Sequence, residues 1–181
     1  DAIAASDDRV VVHQALKHLV VAGNALLFMG KDGLKLYPLQ RYTVERDGNG
    51  NVIEIVTKEL INKKILEQQV PDIKEMKGEY TNDDKEDTED CEVYTHVKRD
   101  NNRFVWHQEV YDHIIPKSQG KAPLSATPWL PLRFNTVDGE GYGRGRVEEF
   151  IGDLKSLEAL SQALVEGSAA AAKVVFTVSP S

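Results

Sequence analysis

One cysteine, Cys91, is present among the 181 residues. A single thiol excludes an internal disulfide framework and any metal site built from several cysteines; it fits a bystander in a reducing environment. Positive charge is also scarce, with 22 lysines and arginines against 29 acids and a net charge of −7. Phosphate contacts need clustered cations, so the balance argues against a broad basic face for free nucleic acid. No apolar run approaches the roughly 20 residues of a membrane-spanning helix. The opening DAIAASDDR has neither the basic start nor the apolar core of a secretory signal. Methionine does not begin the chain, and it stops at Val178-Ser179-Pro180-Ser181 just after an apolar stretch, so both ends are expected to be cuts from something longer. What is present is ordinary for a globular protein: 41% hydrophobic and 28% charged residues, in a chain long enough to bury a core.

The pattern along the chain is helix, strands, helix. Residues Asp7 to Ala22 read as an amphipathic helix, with Ser6, Asp7 and Asp8 as N-terminal acceptors and Val12, Ala15, Leu16, Leu19 and Val20 as the buried face. Gly23-Asn24 supplies the left-handed stop. Ala25–Met29 and Leu34–Leu39 are expected strands around Lys31-Asp32-Gly33. Tyr42–Arg46 and Val52–Thr57 flank Asp47-Gly48-Asn49-Gly50-Asn51, the strongest hairpin signal in the chain. Lys58–Lys77 is helical in composition and interrupted by Pro71, and Asp83–Asp90 is an acidic run expected to be exposed and mobile. A second hairpin is expected from Glu92–Val97 to Arg103–Val110, and Trp129–Phe134 reads as a proline-flanked edge strand. The longest helix should run from about Arg146 to about Ala172, with Val147, Phe150, Ile151, Leu154, Leu157, Leu164 and Val165 as its apolar stripe. The fold class is therefore α+β: an N-terminal helix, a β-hairpin-rich middle and a long C-terminal helix, with no repeating βαβ unit.

Signals for chemistry are weak. DGEGYGRGR leads into a helix, yet the position where a dinucleotide fingerprint needs its third glycine is Arg144, and no Walker lysine follows. A flexible hinge made by Gly139, Gly141, Gly143 and Gly145 is the plainer reading, with at least one residue at positive φ. Of the five histidines, His13 and His18 are five apart and point to different sides of a helix, whereas helical zinc sites favour a separation of four. His107 and His113 flank a strand end with no adjacent carboxylate pattern. There is no Gly-x-Ser-x-Gly elbow and no His-Glu-x-x-His. The acidic run lacks the ligand spacing and central glycine of a calcium loop. Tyr94, Phe104, Trp106 and Tyr111 are expected to pack in the core, since only Lys98, Arg99 and Arg103 are near enough to assist base stacking. No catalytic residue, metal ligand or cofactor-binding residue is identified.

Four blocks carry a resemblance. Gln14–Gly30 (QALKHLVVAGNALLFMG), Leu34–Ile61, Glu92–Val97 (EVYTHV) and Pro128–Leu160 (PWLPLRFNTVDGEGYGRGRVEEFIGDLKSLEAL) lie in the order and spacing of portal, or head–tail connector, proteins of short-tailed, T-seven-like phages. The resemblance weakens over residues 62–90 and 112–127, and Ala169–Ala172 departs from the family's bulkier residues. It implies an internal fragment of a structural protein with no enzymatic activity and no cofactor. Such proteins form a ring, usually of twelve copies, at one capsid vertex of the virion after assembly in the host cytoplasm. They dock terminase, tail adaptor and scaffold or capsid proteins, contact no membrane, and pass double-stranded DNA without reading its sequence.

On that resemblance, residues 1–61 belong to a wing-like region. Residues 62–127 form a variable segment and hairpin, clip-like in character, and 128–181 form a strand, glycine turn and stem- or wing-like helix. Within the long helix, the small residues Gly152, Ser156, Ala159 and Ala163 lie on a different side from the apolar stripe and are the expected subunit interface. Glu148, Glu149, Asp153 and Glu166 lie on flanking polar arcs, expected to face channel or solvent, where they would repel phosphate. The alternatives are a monomeric protein-binding module, which needs a core fully buried without neighbours, and an enzyme, which needs a polar pocket with perturbed titrating groups.

Overall fold

The structure, a computed structural model, describes residues 7–31, 33–70 and 90–173. Of the expected acidic loop, residues 83–89 lie outside this range, as do Ser6, Pro71 and Lys77. Helix α1 (Asp8–Ala22) ends at Gly23, whose φ of 75° lets its N–H bond back to the Leu19 carbonyl. Asp7 at the N-cap makes no side-chain cap bond. Asp8 instead accepts from the Leu34 amide at 2.7 Å and fastens the helix start to the second strand.

Strands β1 (Asn24–Gly30), β2 (Gly33–Tyr37) and β9 (Trp129–Arg133) form a three-stranded antiparallel sheet in the order β2-β1-β9. Pro131 sits on β9, an edge strand of this sheet, where a missing N–H is tolerated. The larger sheet runs β3 (Tyr42–Arg46), β4 (Val52–Asn62), β5 (Asp90–Asp100), β6 (Arg103–Val110), β7 (His113–Ile114), and β8 (Gly120–Pro123) shares the outer edge of β6 with β7. Both expected hairpins are present. In the first turn, Asp47 Oδ1 accepts from the Asn49 and Asn51 amides and Gly50 takes φ 82°. In the second, Asn101 takes φ 53°.

Alternation along each strand builds the core. Leu26 packs with Tyr37, Tyr42, Val44, Ile55, Val97, Phe104 and Trp129, drawing on both sheets. Ala25 and Leu27 point the other way, onto Ala15 of α1. Beneath the far end of the large sheet, Leu66 and Val70 close over Cys91, Val93, Val110 and Ile115. Pairings β1–β9 and β4–β5 join stretches that the sequence places in different segments.

Of the four aromatics expected in the core, Phe104 and Trp106 pack there while Tyr94 and Tyr111 are 38% and 37% exposed. Three further corrections concern the helices and the strand that precedes the second of them. First, α1 buries Ala15 and turns Leu19, as expected, and Val11 partly inward, while Val12, Leu16 and Val20 face outward at 40%, 55% and 45% exposure. Two apolar ridges lie side by side on this helix, and periodicity alone fits either; small Ala15 at the contact lets the helix sit close to β1. Second, Lys58–Asn62 is strand, and the helix that follows is the short α2 (Lys63–Gln69), capped by Asn62 Oδ1 accepting from Lys64 N at 3.0 Å. Pairing with β5, continuous from Glu54↔Lys98 to Asn62↔Asp90, overrides the helical composition. Third, the long helix is divided into α3 (Arg146–Glu149) and α4 (Ile151–Ala171) at Phe150, where φ is −111° and ψ 18°.

Candidate functional site: the glycine junction and the long helix

The last turn of α1 meets the glycine turn backbone to backbone. A Cβ on Gly145 would stand 2.2 Å from the Val21 carbonyl oxygen and 2.7 Å from the Gly23 nitrogen. One on Gly143 would meet the Gly23 oxygen at 2.7 Å, and one on Gly23 the Gly145 nitrogen at 2.4 Å. Only glycine at all three positions permits this approach. Asn24, 3% exposed, seals it. Its Nδ2 donates to the Gly143 carbonyl at 2.7 Å and the Ala22 carbonyl at 3.0 Å, and its Oδ1 accepts from the Gly143 amide at 2.7 Å. A side-chain amide thus does what a neighbouring strand would do for a buried peptide group.

Further bonds hold the turn on the fold. Phe134 N donates to the Gly23 carbonyl at 2.9 Å, and Asn135 and Arg144 exchange backbone bonds. The Tyr142 hydroxyl accepts from Val44 N at 2.9 Å, joining the turn to the large sheet. Arg144 forks onto Glu140 at 2.6 and 3.2 Å, which holds the Glu140 carboxyl below its ordinary pKa. On the other side of the turn Arg46 reaches the Gly50 and Pro131 carbonyls, and burial beside Arg133 lowers its pKa.

Among the residues singled out in the sequence, Gly139 takes φ 77°, and both it and Gly141 have open space where a Cβ would be. Gly143 and Gly145 are close-approach positions without positive φ. Glu148 lies 3.8 Å from Arg144, and Glu149 pairs with Arg146 at 2.9 Å and accepts from Asn135. Asp153 has no ion-pair partner among the described residues, and Glu166 accepts from Gln162 at 2.8 Å. Gly152, Ser156, Ala159 and Ala163 are all exposed on α4, with Ser156 Oγ donating to the Gly152 carbonyl.

The apolar stripe of α4, read from the sequence as a core face, is uncovered. Its residues Ile151, Leu154, Leu157, Leu164 and Val165, and Leu160 beside them, which the sequence reading did not include, are 44–72% exposed, and no residue of α4 is buried. Seen in isolation, such a helix is unstable in water; its stability must come from something that covers it.

Elsewhere, cross-strand register makes a pairing that sequence spacing did not reveal. His96 faces His107 across β5 and β6, with ring centroids 5.4 Å apart. His96 pairs with Glu54, and His107 with Glu109 at 2.6 Å, so His107 does have a carboxylate neighbour. Among the described residues no group of three or more His, Cys, Asp or Glu is placed to hold a metal ion, and no helix is long and apolar enough to cross a membrane. Tyr142 is a site residue that sequence reading missed, and Asn24, read there only as part of the helix stop, has a bridging role to Gly143 that the reading did not find. An asparagine directly after a helix-stopping glycine and directly before the apolar run Ala25–Met29 was the available signal.

The family model described as bacteriophage head to tail connecting protein matches residues 1–181. The portal protein of Enterobacteria phage T3 is 40% identical over 98% of the chain, and that of Escherichia phage T7 is 37% identical over 98%. The portal protein of Pseudomonas phage phiKMV is 31% identical over 85%. The alignments cover 34%, 34% and 30% of those relatives, so the chain spans about a third of their length. With a match along its whole length, the chain belongs to the bacteriophage head to tail connecting protein family.

Proposed function

We propose that this chain is part of a portal subunit, a non-enzymatic structural component that assembles into a ring at one capsid vertex of a phage virion. The observation that carries the reading is α4: a helix of 21 residues whose apolar stripe is uncovered, anchored through α3 to a backbone-tight glycine junction. A monomeric module would gain nothing from leaving that stripe in water. The ring, of twelve copies in this reading, serves as the conduit for packaging and ejecting double-stranded DNA and as a docking platform for terminase, tail adaptor and scaffold or capsid proteins. Residues 1–61 and 128–181 belong to wing- and stem-like parts, and the hairpin within 62–127 is clip-like. The strip Gly152, Ser156, Ala159 and Ala163 admits a neighbouring backbone, and Asp153 and Glu166 with Glu148 and Glu149 keep the surroundings acidic, which suits DNA that slides without sticking. Native mass spectrometry of the purified protein tests this. A closed ring is expected, and a monomer at every concentration tried would overturn the reading.

A further inference from the structure

We infer that the groove between the β3–β4 turn and the glycine turn binds a carboxylate between Arg46 and Arg133, supplied in the ring by an acidic side chain of the adjoining copy. The site stands on its own geometry, and only the source of the carboxylate rests on the ring reading. The groove, of about 640 Å³, runs between residues 46–50 and 136–141. Both guanidiniums flank Gly50. Its carbonyl accepts from Arg46 Nη1 at 2.9 Å, and Arg133 Nη2 lies 3.0 Å from where a Cβ would stand. Their other bonds also go to carbonyls, from Arg46 Nη2 to Pro131 at 3.0 Å and from Arg133 Nη1 to Glu140 at 3.0 Å. Neither has an ion-pair partner among the described residues, and each keeps N–H donors beyond these bonds. Two like charges held side by side without an acid disfavour each other, and burial adds to that at Arg46.

Charge selects the class of ligand. Asp47, Asp138 and Glu140 also line the groove, and two of these carboxylates are engaged. Asp47 accepts from the Asn49 and Asn51 amides and from Asn51 Nδ2, and Glu140 is forked by Arg144. Asp138 alone has no bond or ion pair among the described residues. Two guanidiniums against one unengaged carboxylate leave one positive charge in excess, which a single monoanion neutralises. A phosphate dianion would overshoot it and stand among three acids. A planar carboxylate also matches the guanidinium fork through parallel N–H bonds. The chain is rich in that ligand, with 29 acids against 22 lysines and arginines. Copies of net charge −7 repel as they approach, so contact between them calls for places where an acid of one meets uncompensated cations of the other. This groove is such a place.

Two experiments on the full chain test the site and its source separately. At neutral pH and fixed ionic strength, sodium acetate in place of sodium chloride should raise the melting temperature by about 1–2 °C when half the sites are filled. The gain should be lost in Arg133→Gln and kept in Lys17→Gln, which removes an equal charge from the exposed side of α1. No gain over chloride, or the same gain in Arg133→Gln, overturns the site. A larger gain with phosphate that Arg133→Gln abolishes overturns the carboxylate assignment. For the source, Arg133→Lys places a primary amine in the groove, and a carbodiimide joins an amine to a carboxylate in direct contact. In rings assembled from equal parts of isotopically light and heavy copies, peptide mass spectrometry should find position 133 joined to an acidic peptide of the other isotope. Links confined to one isotope, or no link at position 133 in assembled rings, overturn the adjoining copy as the source. Failure of the unmodified protein to assemble overturns the ring reading and the source together, while the acetate result still decides the site.

Discussion

Replacing the glycines of the turn one at a time by alanine separates close approach from backbone conformation. Gly145 has φ −91° and ψ 165°, a conformation alanine adopts freely, so Gly145→Ala adds no dihedral strain. It adds a methyl 2.2 Å from the Val21 carbonyl oxygen and 2.7 Å from the Gly23 nitrogen. Both are backbone atoms that cannot swing aside, so the cost belongs at the upper end for overpacking, about 3 kcal/mol. For a domain of this size that lowers Tm by about 6–12 °C. Asn24→Ala attacks the same junction from the other partner. It leaves the Gly143 amide and carbonyl buried without their bonds, a loss of about 2–4 kcal/mol. Gly139→Ala meets no atoms but must hold φ 77°, at about 1 kcal/mol. Gly141→Ala meets nothing and needs no positive φ, so it should be neutral or raise stability by a few tenths of a kcal/mol. Urea unfolding of the four variants reads the order directly. If Gly145→Ala and Gly141→Ala unfold at the same denaturant concentration, the close-approach account is wrong.

Three other outcomes follow from the same geometry. Leu26→Ala, at a fully buried position shared by both sheets, should cost about 3 kcal/mol, whereas Leu160→Ala should leave the melting temperature of the unassembled chain within a degree or so. The Asp47 pKa is held down by bonds from Asn51 and Asn49, so its contribution to the turn is complete above the ordinary aspartate range and is lost as pH falls through the lowered value; NMR titration of the Asn49 and Asn51 amides should show an inflection below the ordinary value, and one at or above it would remove the argument. Leucine at Ala159 and Ala163 together should lower the yield of rings on native mass spectrometry with no change in melting, and full ring yield would discard the small-residue strip as an interface.

What the sequence made legible is local. Asp47–Asn51 and Asp100–Asn102 carry their turn chemistry in adjacent residues, and Gly23 marks the helix end without reference to anything distant. What it concealed depends on partners far along the chain. Lys58–Asn62 has a helical composition and becomes strand because Asp90–Lys98 runs beside it. His96 and Glu54 meet only through register, 42 residues apart. The choice between the Val11 and Val12 ridges of α1 is settled by how near β1 can come to Ala15. Gly143 and Gly145 belonged to a run that looked like flexible turn, and their requirement comes from Val21 and Gly23, more than a hundred residues earlier. The uncovered stripe of α4 is the same limitation one level up: its periodicity says that it is covered, and not by which molecule.

The junction also bears on how copies would be arranged. In a ring whose copies meet through α4, the angle between successive copies is set inside each chain, between α1 with the sheets it packs on and the exposed stripe of α4. The path from one to the other runs through Gly23 and Gly145, then the single turn of α3, then Phe150. Three glycines and a doubly bonded amide leave no slack in the first step, and the freedom that remains is one residue at Phe150. A small change of angle per copy accumulates around a closed ring, so the junction should govern ring size more sharply than it governs the fold. Gly145→Ala, at a temperature where the variant is still folded, should therefore broaden or shift the distribution of copy numbers seen by native mass spectrometry. Gly141→Ala, in open space within the same turn, should leave that distribution alone. Equal distributions for both variants would show that the angle is set elsewhere, and that the tight contact serves stability alone.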